Sequence, residues 1–201
     1  DVTRALAVLL DAPALLCCSS RLVIDPNRRP GTAESIPEVA DGIPVPGNRN
    51  VDAGEADRRI AAYFIPYHRA IARQIARLRR RVGVPAIVSI HSFTPTMQRA
   101  WRPWEVAVLW DQDDRLAAPA LAGLRRARSL RVGDNEPYSG RYPIGYTIPF
   151  HATRPGLPHV TFELRQDLID TEPRASTWAL RLAAVLRGPL RDPELYRLWQ
   201  R

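Results

Sequence analysis

Apolar residues recur at helical spacing over the first ten positions, with Val2, Leu6, Leu9 and Leu10 together on one side. The stretches Ala14–Ser19 and Arg21–Asp25 are dense in Leu, Val and Ile and predict two strand segments, the second closed by Pro26. Proline and glycine then dominate from Pro26 to Ala53, which predicts a long loop; loops of that length in a compact domain are functional or disordered. From Asp52 to Arg81 the 3.6-residue period returns, with Ile60, Phe64, His68, Ile71, Ile75 and Leu78 along one side and a kink predicted at Pro66. Pro85–Ile90 is a short apolar, β-branched run suited to a central parallel strand. Val106–Trp110 and His159–Leu164 read as further strands, Ala117–Ser129 and Ala175–Leu186 as helices, and Gly133–Gly145 as a second functional loop. Alternating strands and helices predict an α/β fold, a mixed, largely parallel sheet flanked by helices. No internal repeat breaks this order.

At 201 residues the chain has room for one domain spanning 1–201 and too little for two. The net charge of +8 raises the question of a nucleic-acid partner. All 29 basic residues are arginine, however, which reads as codon bias in ordinary surface charge. The densest run, Arg77–Arg81, falls at a helix end where cations suit the dipole. No recognised motif supports nucleic-acid binding, no apolar run reaches a membrane-spanning length, and no signal-peptide pattern opens the chain. Cys17 and Cys18 are neighbours on a segment predicted as a buried strand, where they point to opposite faces and would strain a mutual disulfide. Reduced, structural thiols in a cytoplasmic protein are expected. The first residue, Asp1, already lies in a helical pattern, so the chain looks cut at its front.

In open α/β sheets functional groups gather just past the carboxyl ends of strands. Three polar groups are predicted there: Asp25-Pro26-Asn27-Arg28, His91-Ser92-Phe93 and Glu163-Leu164-Arg165. His91 reads either as a strand-end ligand or as a hydrogen-bonded structural residue. Glu163, in a segment that otherwise reads as core, must be paired, bound to a metal or shifted in pKa. Arg28 offers a guanidinium fork to a carboxylate, or with Asn27 fixes the loop.

In this order the three groups resemble the zinc carboxypeptidase and aspartoacylase superfamily. A closer set is similar to the N-formylglutamate amidohydrolase family: Ser20–Arg28, Ile43–Asn48, Pro66-Tyr67-His68, Ser89–Pro95, Asp134–Gly140 and Glu163–Asp167, spread over about residues 1 to 188. The resemblance implies a zinc carboxypeptidase-like architecture and hydrolysis of the amide of an N-acyl amino acid such as N-formylglutamate. It further implies a zinc ion with His91 as ligand, Glu163 as general base on the attacking water, and Asn27 and Arg28 on the substrate carboxylate. Arg21, six residues before Asn27, is expected at the oxyanion or in an ion pair with a carboxylate. The other metal ligands of the family come from a histidine-containing segment before the point where this chain starts. On that resemblance the chain as given lacks its N-terminal strand, binds zinc poorly and is inactive as an amidase. His68 is expected to pack or hydrogen-bond, and His151 and His159 to lie near substrate without binding metal. Two other readings stay open: a carboxypeptidase-like or aspartoacylase-like hydrolase for another acyl group, and a non-catalytic binding module.

Overall fold

The computed structural model describes residues 1–142 and 145–200. Helix α1 (Val2–Leu10) buries Val2 and Leu6 and stops at Asp11, whose left-handed backbone turns the chain out of the helix. The two strands expected at 14–19 and 21–25 do not form. Both stretches are irregular, and most of residues 11–22 face solvent, including Cys17 and Cys18, which are exposed free thiols and not buried ones. Their residue types favour extended backbone, but a strand needs a neighbour to bond to. Neither stretch pairs with any strand of the sheets among the described residues.

The long loop is ordered by its own polar bonds. Strands β1 (Val39–Ala40) and β2 (Ile43–Pro44) form a minimal antiparallel ribbon, followed by a 3-10 turn at Pro46–Asn48. Asn48 is buried there and donates through Nδ2 to the carbonyls of Leu22 and Pro37, at 2.8 Å each. Its Oδ1 accepts from Arg59 Nη1 at 2.7 Å, and the same guanidinium reaches the Val23 and Gly47 carbonyls. The loop is thereby fastened to helix α2 (Ala53–Arg59), which Asp52 caps by accepting from Glu55 N–H. A π turn (Ile60–Phe64) joins α2 to α3 (Ile65–Val82). Pro66 lies in the first turn of α3, where its missing N–H costs least, and a π turn precedes it where the sequence predicted a kink.

Strand β3 (Ile87–Phe93) is followed by the ribbon β4 (Thr96–Met97) and β5 (Ala100–Trp101), then β6 (Val106–Leu109), helix α4 (Ala117–Arg125), β7 (Val132–Asp134), β8 (His159–Arg165) and α5 (Glu172–Leu186). The main sheet has the order β3-β8-β6-β7. β3 pairs parallel with β8, β8 antiparallel with β6, and β6 parallel with β7, so the sheet is mixed and flanked by helices. Strand β7 lies where the sequence predicted loop; at three residues it is too short to leave a periodic signature.

The alternation of side chains divides the sheet into two unlike faces. Val160, Phe162 and Leu164 of β8, with Val106 and Val108 of β6 and Val88 and Ile90 of β3, join the core shared with α1, α4 and α5. The opposite face carries Ser89, His91 and Phe93 of β3, and His159, Thr161, Glu163 and Arg165 of β8. One row across it reads His91, Glu163, Ala107, Gly133 in register. Gly133 cannot be larger, because a Cβ there would strike the carbonyl of Glu136 and crowd Ala107 and Trp104. The Asp134–Gly140 loop therefore folds close over this end of the row.

Candidate active site

His91 and Glu163 are register partners on adjacent parallel strands, so their Cα atoms are about 5 Å apart and both side chains rise from the same face. Glu163 is buried, and its Oε2 has no hydrogen-bond partner among the described residues. An unpaired carboxylate in such a place resists ionisation. Burial pushes the Glu163 carboxyl up to about 7, against the opposing fields of Arg102, Arg21 and Arg28. Burial likewise holds His91 below the ordinary histidine value; Asp25 opposes this, and Arg28 and Arg21 add to it. At neutral pH His91 is thus a neutral imidazole with a free lone pair, beside a carboxyl poised to exchange its proton.

The Asp25–Arg28 turn brings the cations to this row. Asp25 is buried, accepts the Asn27 N–H at 2.8 Å through Oδ1, and pairs through Oδ2 with Arg21 Nη2 at 2.8 Å. Arg21 therefore makes the ion pair that was one of its two expected roles, with the rest of its side chain in solvent. Arg28 Nη1 donates to the Asn27 carbonyl at 3.0 Å. Asn27 is partly committed to structure: its Oδ1 accepts from the backbone N–H of Tyr146 and Thr147 at 3.0 and 2.9 Å. Gly145 passes so close that a Cβ would sit 3.3 Å from that amide. Among the described residues only the Nδ2 end of the Asn27 side chain is left outside these bonds.

A pair of histidines supports the turn from behind. His68 Nε2 lies 2.8 Å from the Pro26 carbonyl, and its Nδ1 lies 2.9 Å from His151 Nε2. A carbonyl only accepts, so His68 carries its proton on Nε2, and His151 must then donate from Nε2 to His68 Nδ1. Burial lowers both, His151 to about 4, with the His68 charge as a second cause; Pro26 opposes the shift at His68. Phe64 and Tyr146 pack against the His68 ring. His68 thus packs and hydrogen-bonds, as expected. His159 is on the same face as Glu163 but about 13 Å down the strand, its ring nitrogens bonded to the Leu157 carbonyl and Thr153 hydroxyl. That places it away from the His91 row and not beside a substrate there.

The structure adds one residue that the sequence did not single out. Arg102 exerts the largest charge effect on Glu163. Its guanidinium lies 5.0 Å from the Tyr138 ring and 6.0 Å from the Phe93 ring, with Nη1 donating to the Tyr138 hydroxyl at 3.0 Å. Tyr138 belongs to one of the segments that carried the resemblance, but Arg102 is one arginine among 29 and follows no readable pattern.

For a metal the donors fall short. A catalytic zinc takes three protein ligands, and no group of three or more His, Cys, Asp or Glu side chains able to hold a metal ion occurs among the described residues. His91 and the adjacent Glu163 fall short of that number.

Fold and site together define a mixed α/β protein with a buried carboxyl and an imidazole side by side on the polar face of its sheet. The family model of N-formylglutamate amidohydrolase matches residues 2–170, and the chain belongs to that family of hydrolases. A solved gene product from Agrobacterium tumefaciens is similar at 33% identity and TM-score 0.85, over 94% of this chain and 75% of that one. The crystal structure of N-formylglutamate amidohydrolase from Ralstonia eutropha is similar in fold, at 17% identity and TM-score 0.60, over 94% of this chain and 79% of that one. No curated protein matches. No helix among the described residues is long and apolar enough to cross a membrane.

Proposed function

We propose that the protein hydrolyses the amide bond of an N-acyl amino acid, N-formylglutamate or a close analogue, with Glu163 as the general base. The observation that carries this reading is the buried, partnerless Oε2 of Glu163, on a carboxyl raised to about 7 beside His91. A structural glutamate would be paired; one kept unpaired in a family of amidohydrolases suits proton transfer. Glu163 takes a proton from the attacking water and returns it to the departing amine. Arg28, with the Asn27 Nδ2, holds the substrate carboxylate. Arg21, steadied by Asp25, faces the charge that develops on the carbonyl oxygen. A zinc ion belongs to this proposal with His91 as one ligand, but the described residues do not supply the donor set it needs, so no step is routed through it.

The test is direct. The natural protein is expected to release formate and glutamate from N-formylglutamate in equal amounts, and Glu163→Gln to slow this by about 10²–10⁴-fold. Release by Glu163→Gln at the wild-type rate would overturn the role of Glu163. Binding of N-formylglutamate without any hydrolysis would instead favour a binding module.

A further inference from the structure

Arg102 has a placement that amide hydrolysis alone does not explain. Among the described residues no carboxylate lies within ion-pair distance of it or of Arg28, whereas Arg21 and Arg165 are paired with Asp25 and Asp167. Its guanidinium is nevertheless held firmly, between the rings of Tyr138 and Phe93, by the Tyr138 hydroxyl and by contact with Met97 Sδ. Phe93 stands on the same face as His91, one row nearer the carboxyl end of β3, so Arg102 overhangs the reacting row from that end. A half-buried cation fixed by aromatic faces and lacking an anion is built to receive one. The charge pattern places it apart from the other two cations: Arg21 and Arg28 act on both His91 and Glu163, whereas Arg102 acts on Glu163 alone.

We propose that Arg102 binds a second carboxylate of the substrate, on its side chain, so that the site selects N-acyl amino acids with acidic side chains over neutral ones. This rests on the amidase reading of the site and adds a specificity residue to it. Arg28 then holds the carboxylate common to all amino acids and Arg102 the one that distinguishes them. A dicarboxylate is gripped at both ends, with its amide between them near Glu163. Selection of this kind comes from a buried polar group left unpaired by the wrong substrate.

The experiment compares N-formylglutamate with N-formylglutamine, a neutral near-isostere, in the natural protein and in Arg102→Gln. The substitution also removes the largest charge acting on Glu163, a loss both substrates share; beyond that common loss it is expected to lower kcat/KM for N-formylglutamate relative to N-formylglutamine by about 10- to 100-fold. Equal losses on both substrates, or no loss on either, overturn the assignment. If Arg102→Gln does not fold, Arg102→Lys decides, with a smaller loss confined to N-formylglutamate expected and a uniform loss overturning it. Calorimetric binding of glutarate and butyrate separates this proposal from the reading beneath it, because neither ligand has an amide. Arg102→Gln is expected to weaken glutarate about tenfold or more and leave butyrate unchanged. Unchanged glutarate binding, or none in the wild type, overturns the role of Arg102 whatever the activity, while failure to hydrolyse either N-formyl substrate overturns the amidase reading alone.

Discussion

An unpaired carboxyl such as that of Glu163 costs stability once it ionises, and the sign of its pH dependence follows from its shift. Its folded value of about 7 lies above the ordinary 4.5, so the stability it contributes is full below about 4.5 and lost as pH rises through 7. In metal-free protein with chelator present, Glu163→Gln is therefore expected to unfold with more free energy than wild type at pH 8, by up to about 3 kcal/mol, and to match it near pH 4. Denaturant titrations at the two pH values check this, and a Glu163→Gln variant less stable at pH 8 would argue for a structural bond. At the substrate end, Arg28→Lys is expected to raise KM about tenfold, since an ammonium cannot reproduce the guanidinium fork; an unchanged KM counts against carboxylate binding there. His91 and Glu163 were legible in the sequence because a polar residue at the end of a β-branched run is conspicuous. The unpartnered state of Oε2 and the placement of Arg102 were not, because both depend on contacts between segments far apart in the chain.

Among the elements, strands β3, β6 and β8 and helices α1 to α5 lie within a few residues of where the apolar pattern put them, with α2 and α3 in place of one expected helix. The same pattern failed at 14–25. Apolar periodicity reports a tendency to be extended, whereas a strand exists only where another offers hydrogen bonds. Order in the loop after Pro26 was also hidden, since it comes from one buried amide and one guanidinium. Asn48→Ala strips partners from the Leu22 and Pro37 carbonyls and from Arg59. It is expected to cost about 2–3 kcal/mol in chemical denaturation and to raise KM by loosening the Asp25–Arg28 turn. The histidine pair behind that turn has the opposite pH sign to Glu163. His151, lowered to about 4, contributes stability that is full above about 6.5 and lost as pH falls toward 4. His151→Gln is expected to flatten the loss of wild-type stability between pH 6.5 and 4, and an unchanged slope would show that the imidazole is not buried in solution.

At the scale of the whole molecule, the sheet separates its tasks by face. Helices α1, α4 and α5 cover the apolar side, which leaves the other free to hold polar groups that a two-sided core would exclude. The α/β class and the family could be read from the sequence because six short segments keep their order along the chain. Glu163 and His91 lie far apart in the chain yet share one row, because β8 inserts between β3 and β6. That insertion brings the two side chains together, and no local pattern announces it.

The pH dependence of kcat/KM for N-formylglutamate, compared in wild type and Glu163→Gln, tests most directly whether Glu163 is the base. A base works ionised, so the wild-type rate is expected to rise with pH and level off above about 7, where the Glu163 carboxyl has lost its proton. In Glu163→Gln the small remaining rate is expected to lack that rise. The same ascending limb, with the same midpoint, in both proteins would contradict the account.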